Sequence, residues 1–154
     1  MNGESTHDIP PVVPGVFTLP PYDQKPPQLL GGFCPACHRY YFPRPKYCPC
    51  CLGSVEEISI GSEGTIYSFT VVRTKPPLGL PQPYSVGYVD MAESCLRVFC
   101  LLDPAAIKQL RVGSPVRLAV GPLGHDGRGE PRLRPYFTLS KGRKERRSKW
   151  HQRQ

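Results

Sequence analysis

No apolar run in the chain approaches the roughly eighteen residues needed to cross a bilayer, so a helical membrane span is excluded from the reading. Histidine is sparse. His7, His38, His125 and His151 are the four, and none sits in a pattern that would activate a serine or cysteine. The chain has no HExxH pair and no phosphate-cradling glycine loop. Sustained helical periodicity is missing too, and the 15 glycines and 20 prolines argue for short strands joined by turns rather than a helical bundle. The opening residues Met1 to Asp8 form no charged-then-apolar leader, so a reducing, cytoplasmic setting is expected. These absences leave no autonomous catalytic site legible in the sequence.

Cysteine carries the strongest positive signal. Cys34-Pro-Ala-Cys37 is followed after ten residues by Cys48-Pro-Cys-Cys51. Thiolates are soft ligands, and two CxxC turns this close suit one tetrahedral Zn²⁺; iron shares the preference for four sulfurs. Cys34, Cys37, Cys48 and Cys51 are therefore the expected metal ligands. Cys50 is the competitor, disfavoured by its one-residue spacing from Cys48. His38 is expected to be a surface ring. Gly53 is expected to supply a positive-φ exit from the second turn. Four cysteines leave no open coordination position, so the centre reads as structural. Seven cysteines is an odd number for a disulfide framework. Loss of one ligand is expected to unfold the ribbon and spare the rest of the chain.

The formal charge of +8 is unevenly spread. Residues 1–31 carry net −2, residues 32–53 net +3, residues 54–140 net +1 and residues 141–154 net +6. A zinc tetrathiolate adds −2 that this tally omits. The body is thus nearly balanced, and the basic character belongs to the tail.

Four segments follow from these shifts. Residues 1–31 hold seven prolines and read as a proline-rich extended arm, either a free leader or an arm that lays Val12, Val13, Val16, Phe17, Leu19 and Tyr22 on a partner. Residues 32–53 form the zinc ribbon, with Tyr40, Tyr41 and Phe42 as a cover for the metal. Residues 54–140 contain strands at 65–74, 84–91, 95–102, 116–120 and 132–139. Pro135 marks the last of these as an edge. Asp103-Pro104 is an N-cap with proline at the first helical position, opening a short helix over 105–110. Residues 121–130 read as a glycine-rich loop. Cys95 and Cys100 lie five apart in one strand and so face opposite sides. Residues 141–154 are a basic tail. The fold class is all-β: an N-terminal four-cysteine zinc ribbon followed by a five-stranded OB-fold barrel with one short helix.

Four stretches in order sharpen this. They are Cys34-x-x-Cys37 with Phe42-Pro-Arg44 ahead of Cys48-x-x-Cys51, then residues 64–73, then Pro83-Tyr-Ser-Val-Gly-Tyr-Val-Asp90, then Leu110-Arg-Val-Gly-Ser-Pro-Val-Arg117. Over residues 30–139 the chain resembles the acyl-CoA-associated OB-fold proteins with a rubredoxin-like zinc ribbon. It departs from them in having a proline-rich arm where they have a helical lead-in. The resemblance implies a non-catalytic accessory subunit in a hetero-oligomer with a thiolase-like, hydratase or aldolase subunit. It implies a CoA thioester as a ligand shared with that partner, in a tunnel this chain helps to shape. Arg44, Lys46, Arg73 and Lys75 are then the candidates for the CoA phosphates, and the apolar loop 75–84 is a candidate wall for the acyl chain. The rival class is a single-stranded nucleic-acid-binding module, since OB-folds and zinc ribbons both bind strands. The balanced charge of residues 54–140 disfavours it.

Overall fold

The computed structural model describes residues 6–141. Two sheets account for nearly all of its regular structure. The first has order β2-β1-β3, from β1 (Leu29–Cys34), β2 (Arg39–Tyr41) and β3 (Glu56–Gly61). The second is a closed barrel of order β4-β5-β6-β8-β7, from β4 (Glu63–Val72), β5 (Tyr84–Met91), β6 (Arg97–Leu102), β7 (Pro115–His125) and β8 (Pro131–Leu139). A 3₁₀ turn, Pro104–Gln109, joins β6 to β7, and Asp103 caps it by accepting from the Ala105 amide at 2.9 Å. Five strands closed in this order, with the helical turn after the third, make an OB-fold. Among the described residues no helix is long and apolar enough to cross a membrane.

Alternation along the strands builds the core. In β5 the inward set Ser85, Gly87, Val89 and Met91 is buried, while Tyr88 faces out. Ile66, Val98, Leu102, Val116, Leu118, Leu133 and Phe137 complete the barrel interior. Leu29 and Ile60, from the first sheet, belong to the same cluster. The two sheets therefore share one core. Gly61 carries the chain between them with φ +114, a conformation that L side chains rarely adopt.

The arm is neither a free leader nor a loose strap over residues 9–18. Phe17 is only 3% exposed within the common core, with Ile9 and Val16 packed against it. The Val12 amide donates to the Leu133 carbonyl and the Leu133 amide to the Pro10 carbonyl, both at 2.9 Å. Further on, Leu30 donates to Val16 and Thr18 to Gln28. The arm thus pairs with β8 at one end and with the start of β1 at the other. Val13 and Leu19 remain exposed.

Three sequence expectations are corrected here. The strand at 132–139 is not an edge, because it pairs with β7 along its length and joins β6 by a parallel bridge between Leu102 and Phe137. Leu133 and Phe137 turn their backbone groups toward the arm and Asp103. By the two-residue repeat, Pro135 puts its missing N–H between them, in the gap where β6 and β8 part. Residues 121–125 are strand rather than loop. Arg134, 6% exposed, donates to the carbonyls of Leu123 and His125 and so holds that end of β7 onto β8. Cys95 lies in the turn before β6 with φ +58, while half-buried Cys100 turns its thiol toward the Gly87 carbonyl. Burial pushes the Cys100 thiol up to about 12, as fits a packing residue. The tail 142–154 and residues 1–5 lie outside the described residues.

Asp126 closes the β7–β8 turn. Its carboxylate accepts from the amides of Arg128 and Glu130 and from both Nε and Nη2 of Arg132. The Arg132 guanidinium, then the two amides, hold its pKa down to about 2. A lowered carboxylate pKa stabilises the fold above the ordinary value near 3.9 and is lost as pH falls toward 2. Asp126→Asn should therefore be less stable than wild type at pH 7, with the difference shrinking between pH 4 and pH 2 in urea titrations. A difference that stays constant over that range would refute this role. Phe17→Ala should cost about 3–5 kcal/mol in the same measurement, as for any large buried side chain; a cost under about 1 kcal/mol would mean that the arm is not core.

Candidate metal centre

The two CxxC turns are built alike. In each, the amide four residues on donates to the carbonyl of the first cysteine: His38 to Cys34 at 2.8 Å, and Leu52 to Cys48 at 2.9 Å. In each, the residue after the second cysteine is left-handed, His38 at φ +54 and Leu52 at φ +59. The exit from the second turn is therefore made by Leu52 and not by Gly53. Gly53 serves a different need, since a Cβ there would stand 3.2 Å from the Cys51 sulfur. Its carbonyl also accepts from the Cys48 amide at 2.9 Å.

This geometry brings the sulfurs of Cys34, Cys37, Cys48 and Cys51 within 4.8 Å of one another. Cys34 and Cys48 are fully buried. The Cys34–Cys51 sulfurs are 3.6 Å apart and the Cys37–Cys48 sulfurs 3.9 Å. A tetrahedron with metal–sulfur bonds of about 2.3 Å has edges of about 3.8 Å. The four residues thus fit a tetrahedral thiophilic cation, zinc or iron. Their protonation reads the same way. Hydrogen bonding with the Cys51 sulfur, then burial, pushes Cys37 up to about 12. The Tyr41 hydroxyl, 3.3 Å from the Cys48 sulfur, pulls Cys48 down to about 6. Sulfurs this crowded become thiolates together only around a positive charge.

The surroundings separate ligands from bystanders. Cys50 is exposed and outside the cluster, with the Arg39 guanidinium 3.2 Å from its sulfur. His38 is exposed, and its ring meets Phe33 edge-on at 6.1 Å. Of the three expected cover residues only Tyr41 packs on the cysteines, beside Val55. Tyr40 meets Phe33 at 5.0 Å with the rings tilted by 48°, and Phe42 packs against the barrel core. Chain alternation sends Tyr40 and Tyr41 to opposite faces, a signal that was present in the sequence.

The four basic candidates are dispersed. Arg44 donates through Nε and Nη2 to the Val55 carbonyl at 3.2 and 2.9 Å, and its Nη1 is 3.6 Å from Glu57. Lys46 reaches over the Tyr47 ring at 5.4 Å. Arg73 and Lys75 are exposed at the base of loop 75–84. That loop is closed by Gln82 donating to the Arg73 carbonyl at 2.8 Å. It lies on the end of β7, where Gly79 faces the His125 ring and Gly124 faces the Leu78 carbonyl.

Comparison with known proteins agrees with the OB-fold. A family model described as the C-terminal OB-fold domain of ChsH2 matches residues 57–121, from β3 into β7. The benzoylsuccinyl-CoA thiolase subunit BbsA of Thauera aromatica is 34% identical over 112 residues, covering 72% of this chain and 76% of that protein. A DUF35 domain-containing scaffold protein of Methanocaldococcus jannaschii is 32% identical over 102 residues, covering 64% of this chain and 72% of the relative. Among solved structures, a chain of the Ltp2-ChsH2(DUF35) aldolase superposes with a TM-score of 0.58 and 26% identity over 73% of this chain and 84% of that one.

The ligand assignment is directly testable by elemental analysis. Wild type and Cys50→Ser should each hold one equivalent of tightly bound metal, and Cys51→Ser should lose it. Retention by Cys51→Ser together with loss in Cys50→Ser would exchange the two roles.

Proposed function

The chain belongs to the DUF35 family, with the OB-fold of the ChsH2 C-terminal domain, and we propose that it is a non-catalytic accessory subunit of a thiolase-like acyl-CoA enzyme. The carrying observation is that all four sulfurs of the cysteine cluster converge on one point, which fills the coordination sphere with protein ligands and leaves a structural centre. The likeness to a thiolase subunit over three-quarters of that subunit's length supports the rest. Zinc is the proposed occupant. On this reading the ribbon holds the interface with the catalytic subunit, and the barrel helps shape the channel for a CoA thioester. A partner of the benzoylsuccinyl-CoA thiolase kind fits best.

Within this proposal Arg44, Lys46, Arg73 and Lys75 face the CoA phosphates. All four are exposed; Arg73 and Lys75 are the strongest, because Arg44 already serves Val55 and Glu57 and Lys46 lies over the Tyr47 ring. Arginine and lysine near a phosphate make charge-assisted hydrogen bonds. The segments proposed are the arm 1–31, the ribbon 32–53, the barrel 54–140 and the tail 141–154, with Glu56–Gly61 at the start of the third pairing with the ribbon strand Leu29–Cys34.

Two measurements check this. The isolated chain should turn over no thioester and should bind no single-stranded RNA in a salt-sensitive manner. Reconstituted with its catalytic subunit, Arg73→Ala/Lys75→Ala should raise KM for the CoA thioester several-fold and leave kcat within about twofold, the mark of lost ground-state binding. Turnover by the chain alone would overturn the proposal. Tight strand binding with no catalytic subunit recovered would favour the nucleic-acid module instead.

A further inference from the structure

The outer face of the barrel carries a row of exposed aromatic side chains. Tyr67 on β4, Tyr88 on β5 and Phe99 on β6 are 51%, 44% and 58% exposed. They lie side by side across three adjacent strands. Tyr88 stands directly opposite Phe99 in the register, with ring centres 5.3 Å apart. Tyr67 sits at a bulge, where the pairing of β4 with β5 skips from Ile66 to Ser68. Arg97, two residues before Phe99 on β6, reaches across to β4 with its guanidinium 3.3 Å from the Tyr67 ring centre.

Phe99 also forms the lip of a cleft. Where β6 and β8 part, Val12 and Val16 of the arm, Phe42, Leu101 and Phe137 surround a cavity of about 240 Å³. Its wall is apolar apart from Arg134, whose guanidinium is committed to the carbonyls of Leu123 and His125. Phe99 belongs to both the row and the cleft, so the two adjoin.

Charge and size decide what that surface fits. The cation on the row, Arg97, is neutralised by Asp90 through two contacts of 2.6 and 3.1 Å. Among the described residues, a nucleic-acid strand stacked on the rings would meet a paired cation rather than a free one on the row itself. The cleft is smaller than the roughly 300–1,000 Å³ of ordinary small-molecule sites, and its volume suits a single bulky side chain. Exposed aromatics around a pocket, with a paired arginine at the margin, match the composition of protein interface centres.

We infer that the row Tyr67–Tyr88–Phe99 and the adjoining cleft dock an uncharged, apolar surface of the catalytic subunit, one bulky side chain of which enters the cleft. The inference rests on the accessory-subunit reading and adds a contact surface separate from the ribbon.

The test is calorimetric titration of the full chain with the purified catalytic subunit. Phe99→Asp places a charge in the row, Val12→Trp fills the cleft from this chain's side, and Phe99→Tyr keeps the row intact. All three should retain wild-type metal content and melting temperature, since each position is surface or half-buried. Association should weaken at least tenfold in Phe99→Asp and in Val12→Trp, and stay within threefold in Phe99→Tyr. Wild-type affinity in both Phe99→Asp and Val12→Trp, with the wild-type complex formed, would overturn this surface and leave the accessory reading standing. Failure of the wild-type chain to bind would sink both. Binding of an oligothymidine that Phe99→Asp abolishes, or a dimer of this chain that the same variant dissolves, would reassign the row and overturn the inference.

Discussion

Four sulfurs within 4.8 Å of one another impose the constraint on which the rest of this structure depends. Such a cluster is stable as thiolates only around a cation, and a structural metal contributes on the order of 10 kcal/mol to a small domain. Without it a ribbon of some twenty residues has too little apolar material to hold itself. With it, the end of β1 and the 48–51 turn are tied together, and Tyr41 and Val55 pack beside them. The sheet β2-β1-β3 then has a fixed end from which to reach the barrel.

That sheet is not an appendage. Leu29 from β1 and Ile60 from β3 are buried in the same cluster as the barrel strands, and Phe17 from the arm lies with them. Buried groups in contact do not respond independently when one is disturbed. Leu29 and Ile60 thus connect β1 and β3, the strands of the ribbon sheet, to the barrel, a route that bears on the sequence-based expectation that loss of a ribbon cysteine spares the barrel. The same connection suits an accessory subunit, since a metal-fixed ribbon and a closed barrel present their surfaces in a defined relation.

Much of this architecture was legible in the residues. The run 84–91 is the strand β5, because alternation with β-branched and aromatic residues is unambiguous there. Asp103-Pro104 caps the turn after β6 as expected, although the turn is 3₁₀ rather than α. The convergence of Cys34, Cys37, Cys48 and Cys51 follows from their spacing. What stayed hidden was long-range. That β3 joins the ribbon sheet rather than the barrel depends on pairing with β1 some thirty residues earlier. That Phe17 is core and not a partner contact cannot be read from a proline-rich segment, whose local signal is only extended backbone. Gly121-Pro-Leu-Gly124 looks like a loop by composition. It is held as strand by Arg134 from the next strand, a tertiary effect that overrides propensity. The aromatic row needed the register of three strands before Tyr67, Tyr88 and Phe99 came together.

On the proposed function a metal held by the four cysteines is structural, and bond-making belongs to a catalytic subunit. X-ray absorption at the edge of the bound metal, on the reconstituted complex with and without a CoA thioester, tests this most directly. The predicted spectrum is that of four sulfurs at about 2.3 Å, unchanged when the thioester is added. A light-atom ligand in the first coordination sphere, or a spectrum that shifts on substrate binding, would contradict it.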